Sequence, residues 1–281
     1  MHWFTAVFEP AFMQRALFAG MIASVAGGLV GTWVVARGLS FLGDALAHGV
    51  LPGLALATLW GFDPIIGALV AAFVMSGAVT VIGDRSQLRD DTAIGLLFVG
   101  MLALGVIIVS RSDRFATDLT ALLFGEILGV TARDLTEQAI AAGLIVVATI
   151  VLYRPFLAVA FNRDKSMTLG MRPTLAHAAL LAVLSVAIVA SFRAVGTLLV
   201  FGLLIAPAAT ASLVVRRIPV AMVVSVALGW LSVVMGLVVS YHASTAAGAT
   251  IAAVSVGWFF VVLALRPPLI ALRRDRAVAA V

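Results

Sequence analysis

The chain has 281 residues, of which 63% are hydrophobic and only 11% charged, and its mean hydropathy is +1.18. Soluble domains carry about 25% charged residues, so this composition excludes a soluble globular protein and specifies an integral membrane protein. The net charge of +5 comes from basic residues scattered between apolar blocks, which excludes a nucleic-acid surface. With no cysteine, disulfides, thiolate nucleophiles and thiolate metal sites are excluded too.

A helical crossing of the roughly 30 Å hydrocarbon layer takes about 20 apolar residues. The N-terminus, Met1-His2-Trp3-Phe4, has no basic residue before Arg15 and does not read as a cleaved signal peptide. The first charge-free run, 16–36, holds Gly20, Gly27, Gly28 and Gly31, small residues that let helices approach closely in lipid. The second predicted span, 38–62, is unusual because it carries Asp44 and His48. A charge at bilayer depth costs about 2.5–3.5 kcal/mol on insertion scales, and such residues mark ion pathways or proton relays. On a helix, i and i+4 share a face, so the Asp44 carboxylate and the His48 imidazole could meet one divalent cation. Equally, Asp44 could cap a helix N-terminus while His48 packs.

The runs 64–83 and 92–110 follow, the latter with Gly95, Gly100 and Gly105 as further close-approach positions. The segment 118–130 is too short to cross and reads as a re-entrant or interfacial helix. Its Glu126 could line a pathway or sit in water at an interface. The span 135–153 begins beside Glu137, and the runs 173–192, 194–215, 218–241 and 243–265 complete nine crossings, with eight as the alternative count. Pro207 lies mid-span and is expected to kink its helix and free a backbone carbonyl. His242 follows the eighth span, either to receive metal there or as an interfacial residue. His177 packs or snorkels near the opposite end. Trp33, Trp60 and Trp258 to Phe260 suit interfacial anchoring or lipid contact. No repeat, low-complexity linker or soluble domain is evident, so 1–281 is expected to be one all-α polytopic membrane domain.

Placing the loop 154–173 and the tail after Leu265 in the cytoplasm puts only Arg15, Arg111, Arg114, Arg133 and Arg193 outside, and the other 13 of 18 Lys and Arg inside. That asymmetry fixes the orientation, with the N-terminus outside and the C-terminus inside. There is no Gly-x-x-x-x-Gly-Lys phosphate loop, His-Glu-x-x-His or Gly-x-Ser-x-Gly. A membrane domain of this kind either couples to an ion gradient or borrows ATP hydrolysis from a partner. Residues 160–173 form the longest cytoplasmic connection and read as a short helix, with Asn162 as N-cap and Gly170 at the C-terminal end. Ser166 and Gly170 leave a flat face for another protein, unless the segment is a solvated interfacial turn.

Four blocks occur in order along the chain. They are Phe12-Met13-Gln14-Arg15-Ala16-Leu17-x-Ala19-Gly20; Gly43-Asp44-Ala45-x-x-His48-x-Val50-Leu51-Pro52-Gly53; Ala206-Pro207-Ala208-Ala209-Thr210-Ala211; and Ser244 to Thr250, ending Gly248-Ala249-Thr250. In order and spacing they resemble the permease family of bacterial zinc and manganese ABC importers, over almost the whole chain. The resemblance implies a type II importer fold in the cytoplasmic membrane, a permease homodimer, a pair of cytoplasmic ATPases and an external metal-binding protein. No bound cofactor is implied, only a transported ion: manganese, zinc or iron. It also implies that Asp44 and His48 are the metal-coordinating pair. Residues 161–173, with Asn162, Arg163, Asp164, Ser166 and Gly170, would be the helix that couples to the ATPase. The family often has Asp in place of Asn162 and Ala in place of Ser166, so the match is looser there. A carboxylate with an imidazole and no thiolate suits manganese, zinc or iron(II). The alternatives are an ion-coupled secondary transporter, in which the Asp–His pair carries protons, and a siderophore or cobalamin permease of the same fold.

Overall fold

In hydrocarbon every backbone amide must find its partner within the protein, and a helix does this segment by segment. The computed structural model describes residues 6–85, 90–110, 127–161 and 172–278, and these form helices joined by turns, with no strand among them. After a 3-10 turn at Ala6–Phe8 come α1 (Ala11–Ala36), α2 (Ser40–Gly49), α3 (Leu51–Trp60), α4 (Pro64–Arg85) and α5 (Asp90–Val109). A second 3-10 turn, Ile127–Gly129, precedes α6 (Ala132–Val151), α7 (Tyr153–Phe161), α8 (Pro173–Val195), α9 (Thr197–Val214), α10 (Ile218–Ala243) and α11 (Ala247–Val278). Counting α2 with α3 as one crossing, nine spans among the described residues are long and apolar enough to cross a membrane. They fall where the hydropathy of the sequence puts them. The proposed coupling residues Asn162, Arg163, Asp164, Ser166 and Gly170, and Glu126 with most of the segment 118–130, lie outside the described residues.

Local chemistry sets the helix ends. Gly38 and Gly61 take left-handed φ of 69° and 73° after α1 and α3. The following amides then reach back to the last turns, Leu39 N–H to the Val34 carbonyl at 2.9 Å and Phe62 N–H to the Ala57 carbonyl at 2.8 Å. Asp63 Oδ1 accepts from Ile65 N–H at 2.8 Å, capping α4 just ahead of Pro64. A Thr131–Asp134 capping box opens α6 at Ala132, three residues before the expected start of that span.

α1 is the central element, packed by α6, α8, α9 and α10; α2 to α5 gather on one side, and α9 to α11 on the other. Glycines bring α1 and α9 into backbone contact. A Cβ on Gly31 would overlap the Leu204 carbonyl oxygen, and one on Gly27 would lie 3.1 Å from the Leu203 oxygen. Leu203 is four residues before Pro207, so its carbonyl loses the usual helical donor, and contact with Gly27 places it against a Cα–H instead. α9 nevertheless continues as a helix across Pro207.

Several buried hydroxyls bond locally or across helices, as hydrocarbon favours, while those of Thr149, Ser225 and Ser255 find no protein partner among the described residues. Ser24, Thr32 and Thr210 each donate to the carbonyl four residues back at 2.7 Å. Ser76 of α4 bonds Ser185 of α8 at 2.8 Å, and Gln138 of α6 donates to the Ala19 carbonyl of α1 at 3.2 Å.

The span 38–62 stands as one crossing, built from two helices that meet at Val50. Two expectations are corrected. Trp33 is not at an interface with lipid: it is fully buried, edge-on to Tyr153 and Phe156 at centroid distances of 5.5 and 5.7 Å. It is the Trp nearest the apolar underside of α7, and filling that volume outweighs its amphipathic preference. The α1 glycines are close-approach positions, but Gly95 and Gly100 of α5 have nothing within 4 Å of a Cβ. Only Gly105 of that helix touches a neighbour, with Leu51 Cβ 3.1 Å from where its own would be.

Candidate functional site

α2 is ten residues long, and glycines fix its position. A Cβ at Gly43 would come within 2.9 Å of Leu204 Cδ2 on α9, and one at Gly49 would overlap Met75 Sδ on α4. With Leu42, Ala45, Leu46 and Ala47, these glycines make up the buried side of the helix. The opposite side follows from the 3.6-residue repeat: Phe41, Asp44 and His48, at i, i+3 and i+7, lie along one stripe. Phe41 is 44% exposed. The side chains of Asp44 and His48 are 35% and 31% exposed.

The break at Val50 follows from Pro52. Four residues after His48, Pro52 has no N–H to give the His48 carbonyl, and its ring crowds that turn. α2 therefore ends directly after the imidazole, and α5 covers the joint, with Pro52 N 3.4 Å from a Cβ placed on Gly105. Along a span of about 31 Å, at 1.5 Å per residue, Asp44 lies about 6 Å and His48 about 12 Å from the first residue. Both are within the membrane-crossing stretch.

The structure brings the two predicted ligands together. His48 Nε2 is 3.5 Å from Asp44 Oδ1, too long for a strong hydrogen bond. Bonds of about 2.1 Å from both atoms to one cation would subtend an angle of about 110° across that gap, close to tetrahedral. The distance between the two atoms is compatible with a shared ion. Asp44 caps nothing: it is in the second turn of α2, and the N-cap is Leu39, with no side-chain bond. Among the described residues no group of three or more His, Asp or Glu converges.

His242 is not part of this pair. It ends α10, whose main neighbours are α1, α9 and α11, and its Nδ1 lies 2.9 Å from the Val238 carbonyl oxygen of its own last turn. His177 is buried, with Nδ1 2.8 Å from Arg37 Nη1, a link between the C-terminal end of α1 and the start of α8. Two adjoining cavities, of about 310 and 540 Å³, lie at the opposite end of the bundle, among Asp63, Arg133, Asp134, Glu137 and the apolar residues of α4 and α8. Neither opens on Asp44 or His48. Sequence reasoning missed the aromatic wall beside the pair: Phe98 of α5 stands edge-on to both His48 and Phe41. Phe41 was recoverable from its i, i+3, i+7 register, but no local signal points to Phe98.

Residues 9–266 match the family described as the ABC 3 transport family. The chain is 36% identical over 257 residues to the manganese import system permease protein ScaB of Streptococcus parasanguinis, with 91% of each chain covered. It is 32% identical over 265 residues to the chelated iron transport system membrane protein YfeD of Yersinia pestis, covering 92% of this chain and 88% of that one. Among solved structures it superposes on PsaBC from Streptococcus pneumoniae, in complex with Fab, with a TM-score of 0.81 and 31% identity over 93% of this chain and 94% of that chain. With nine candidate crossings among its described residues, it is a multi-pass protein of the cytoplasmic membrane. The match over nearly its whole length, the identities and the shared fold together establish that this chain belongs to the ABC 3 transport family.

Proposed function

We propose that the chain is the membrane permease of an ATP-driven importer for a divalent transition metal (manganese, zinc or iron), working as a single membrane domain over 1–281. Asp44 and His48 would be the ligands that receive the ion inside the membrane. One observation carries this assignment: a carboxylate and an imidazole converge at 3.5 Å on the outer side of the protomer, a third exposed, at a depth where lipid contact is costly. A carboxylate beside an imidazole is costly to leave to hydrocarbon, so a second copy of the chain covers the pair. Two copies would then face two Asp and two His across a shared path, four ligands for one ion.

The energy comes from a partner ATPase docked on the cytoplasmic segment 161–173, through Asn162, Arg163, Asp164, Ser166 and Gly170. An external metal-binding protein delivers the ion on the other side. Membership of an ABC transport family leaves the ion-coupled secondary transporter without support. The nearby relatives named for manganese and iron favour a bare or simply chelated metal over cobalamin.

Metal uptake by cells carrying Asp44→Ala or His48→Ala tests the assignment. Each variant should lose uptake while its abundance and assembly in the membrane, measured alongside, stay at the normal level. Normal uptake by either one refutes the site.

A further inference from the structure

The imidazole of His48 has a problem that Asp44 does not. Rotation about χ2 of histidine is broad and nearly two-fold, and a half-turn puts Cε1, which ligates nothing, where Nε2 was. Something must hold the ring. α5 supplies it: Ile94, Phe98, Met101 and Gly105 recur at helical spacing on the side of α5 that faces α2 and α3. Of these, Ile94 is fully buried and Gly105 touches the α2–α3 joint. From that face the Phe98 ring meets His48 at a centroid distance of 6.2 Å and an interplanar angle of 62°. The same ring meets Phe41 at 5.7 Å and 77°. Both are edge-to-face contacts of the kind aromatic rings prefer. Phe41, Asp44 and His48 lie on one stripe of α2, so Phe98 packs beside the Asp–His pair and is itself backed by the residue one turn before Asp44.

We propose that Phe98 is the positioning residue of His48. It pins the imidazole with Nε2 turned to the Asp44 carboxylate, and Phe41 steadies Phe98 from behind. The ring contributes no ligand. It sets how tightly the pair takes the ion, by removing the rotational freedom that binding would otherwise have to freeze and by lining one wall with apolar surface that excludes water. This rests on Asp44 and His48 being the metal ligands.

The test replaces the genomic copy in the cells that normally express the chain, so that all partners are present. Initial uptake rates are measured against Mn²⁺ and, in parallel, Zn²⁺ as sole added metal, with chain abundance in the membrane as control. An edge-on aromatic contact corresponds to about a 2- to 12-fold change in affinity. Phe98→Leu, similar in volume but without a ring, should raise KM at least two-fold at unchanged Vmax, and Phe98→Tyr, which keeps the ring edge, should restore the normal KM. A Leu variant with KM raised less than two-fold, a loss confined to Vmax, or a Tyr variant no better than Leu would each overturn the proposal. Phe98→Leu avoids the cavity that Phe98→Ala would open. Asp44→Ala and His48→Ala measured alongside separate the two ideas: if they are inactive while Phe98→Leu is normal, only the positioning role is lost, whereas normal uptake by them removes the metal site itself.

Discussion

Gly31→Ala is the sharpest test of how the site is supported. The added methyl would overlap the Leu204 carbonyl oxygen, where an ordinary contact needs at least 3.4 Å, so α9 must retreat from α1 by about 1 Å or more. No side chain can swing aside, because the obstacle is backbone on both sides. Overpacking of this kind costs about 1–3 kcal/mol, or roughly 2–4 °C in Tm per kcal/mol for a domain of 150–250 residues. The displacement also reaches the site, since Leu204 and Phe201 of α9 pack on Gly43, one residue before Asp44. Thermal unfolding of the purified chain in detergent, followed by tryptophan fluorescence, should show a Tm lower by several degrees, with reduced metal uptake in cells. Gly100→Ala is the internal control: nothing lies within 4 Å of its Cβ, so the same methyl should leave both unchanged. If the two variants unfold together, the backbone contact between α1 and α9 is not what holds this bundle.

Gly49→Ala, overlapping Met75 Sδ on the buried side of α2, should lower Tm by less than Gly31→Ala, because a flexible thioether can yield; detergent melts of the two side by side decide this. Gly170→Trp should abolish uptake while ATP hydrolysis by the assembled complex continues, and coupled transport in that variant would take segment 161–173 out of the docking role. In this cysteine-free chain, Ser244→Cys should react with an impermeant thiol reagent in intact cells and Arg274→Cys should not. The reverse pattern would invert the chain and put the proposed docking segment outside, away from ATP.

What could be read from the sequence and what could not divides along one physical line. Crossing a membrane is a property of a continuous segment, so nine spans were legible from apolar runs of the required length. The Asp44–His48 pair was legible because two costly residues stand four apart within one helix, and neighbours in sequence at that spacing are neighbours in space. Contacts between helices carry no such local mark. Gly31 and Gly100 look alike in sequence, yet one lies on backbone and the other on open space. Trp33 looked like an anchor until Tyr153 and Phe156, over a hundred residues later, closed around it. The break after His48 was readable in Pro52 through its missing amide hydrogen. The Thr131-x-x-Asp134 box that starts α6 was equally plain and was passed over, because charge rather than capping set the expected boundary.

The proposed site, half of it on each of two copies, would account for how α2 is built. One side of that helix is pressed into α4 and α9 through glycines that leave it no room to slide, and the other side holds the Asp44–His48 pair, with 35% and 31% of their side chains exposed. On the proposed reading, rigid backing on one side and exposed side chains on the other would let the helix meet a second copy in register, because an error of 1 Å in either protomer would be felt in a coordination sphere shared by both. The same construction would suit release. Two ligands from one chain would hold a divalent ion weakly beside four, so a movement parting the proposed protomers would lower affinity without any change within α2. ATP-driven motion transmitted from the cytoplasmic side would then need only to separate two stiff halves, which is a displacement that packed helices carry well over the height of a membrane.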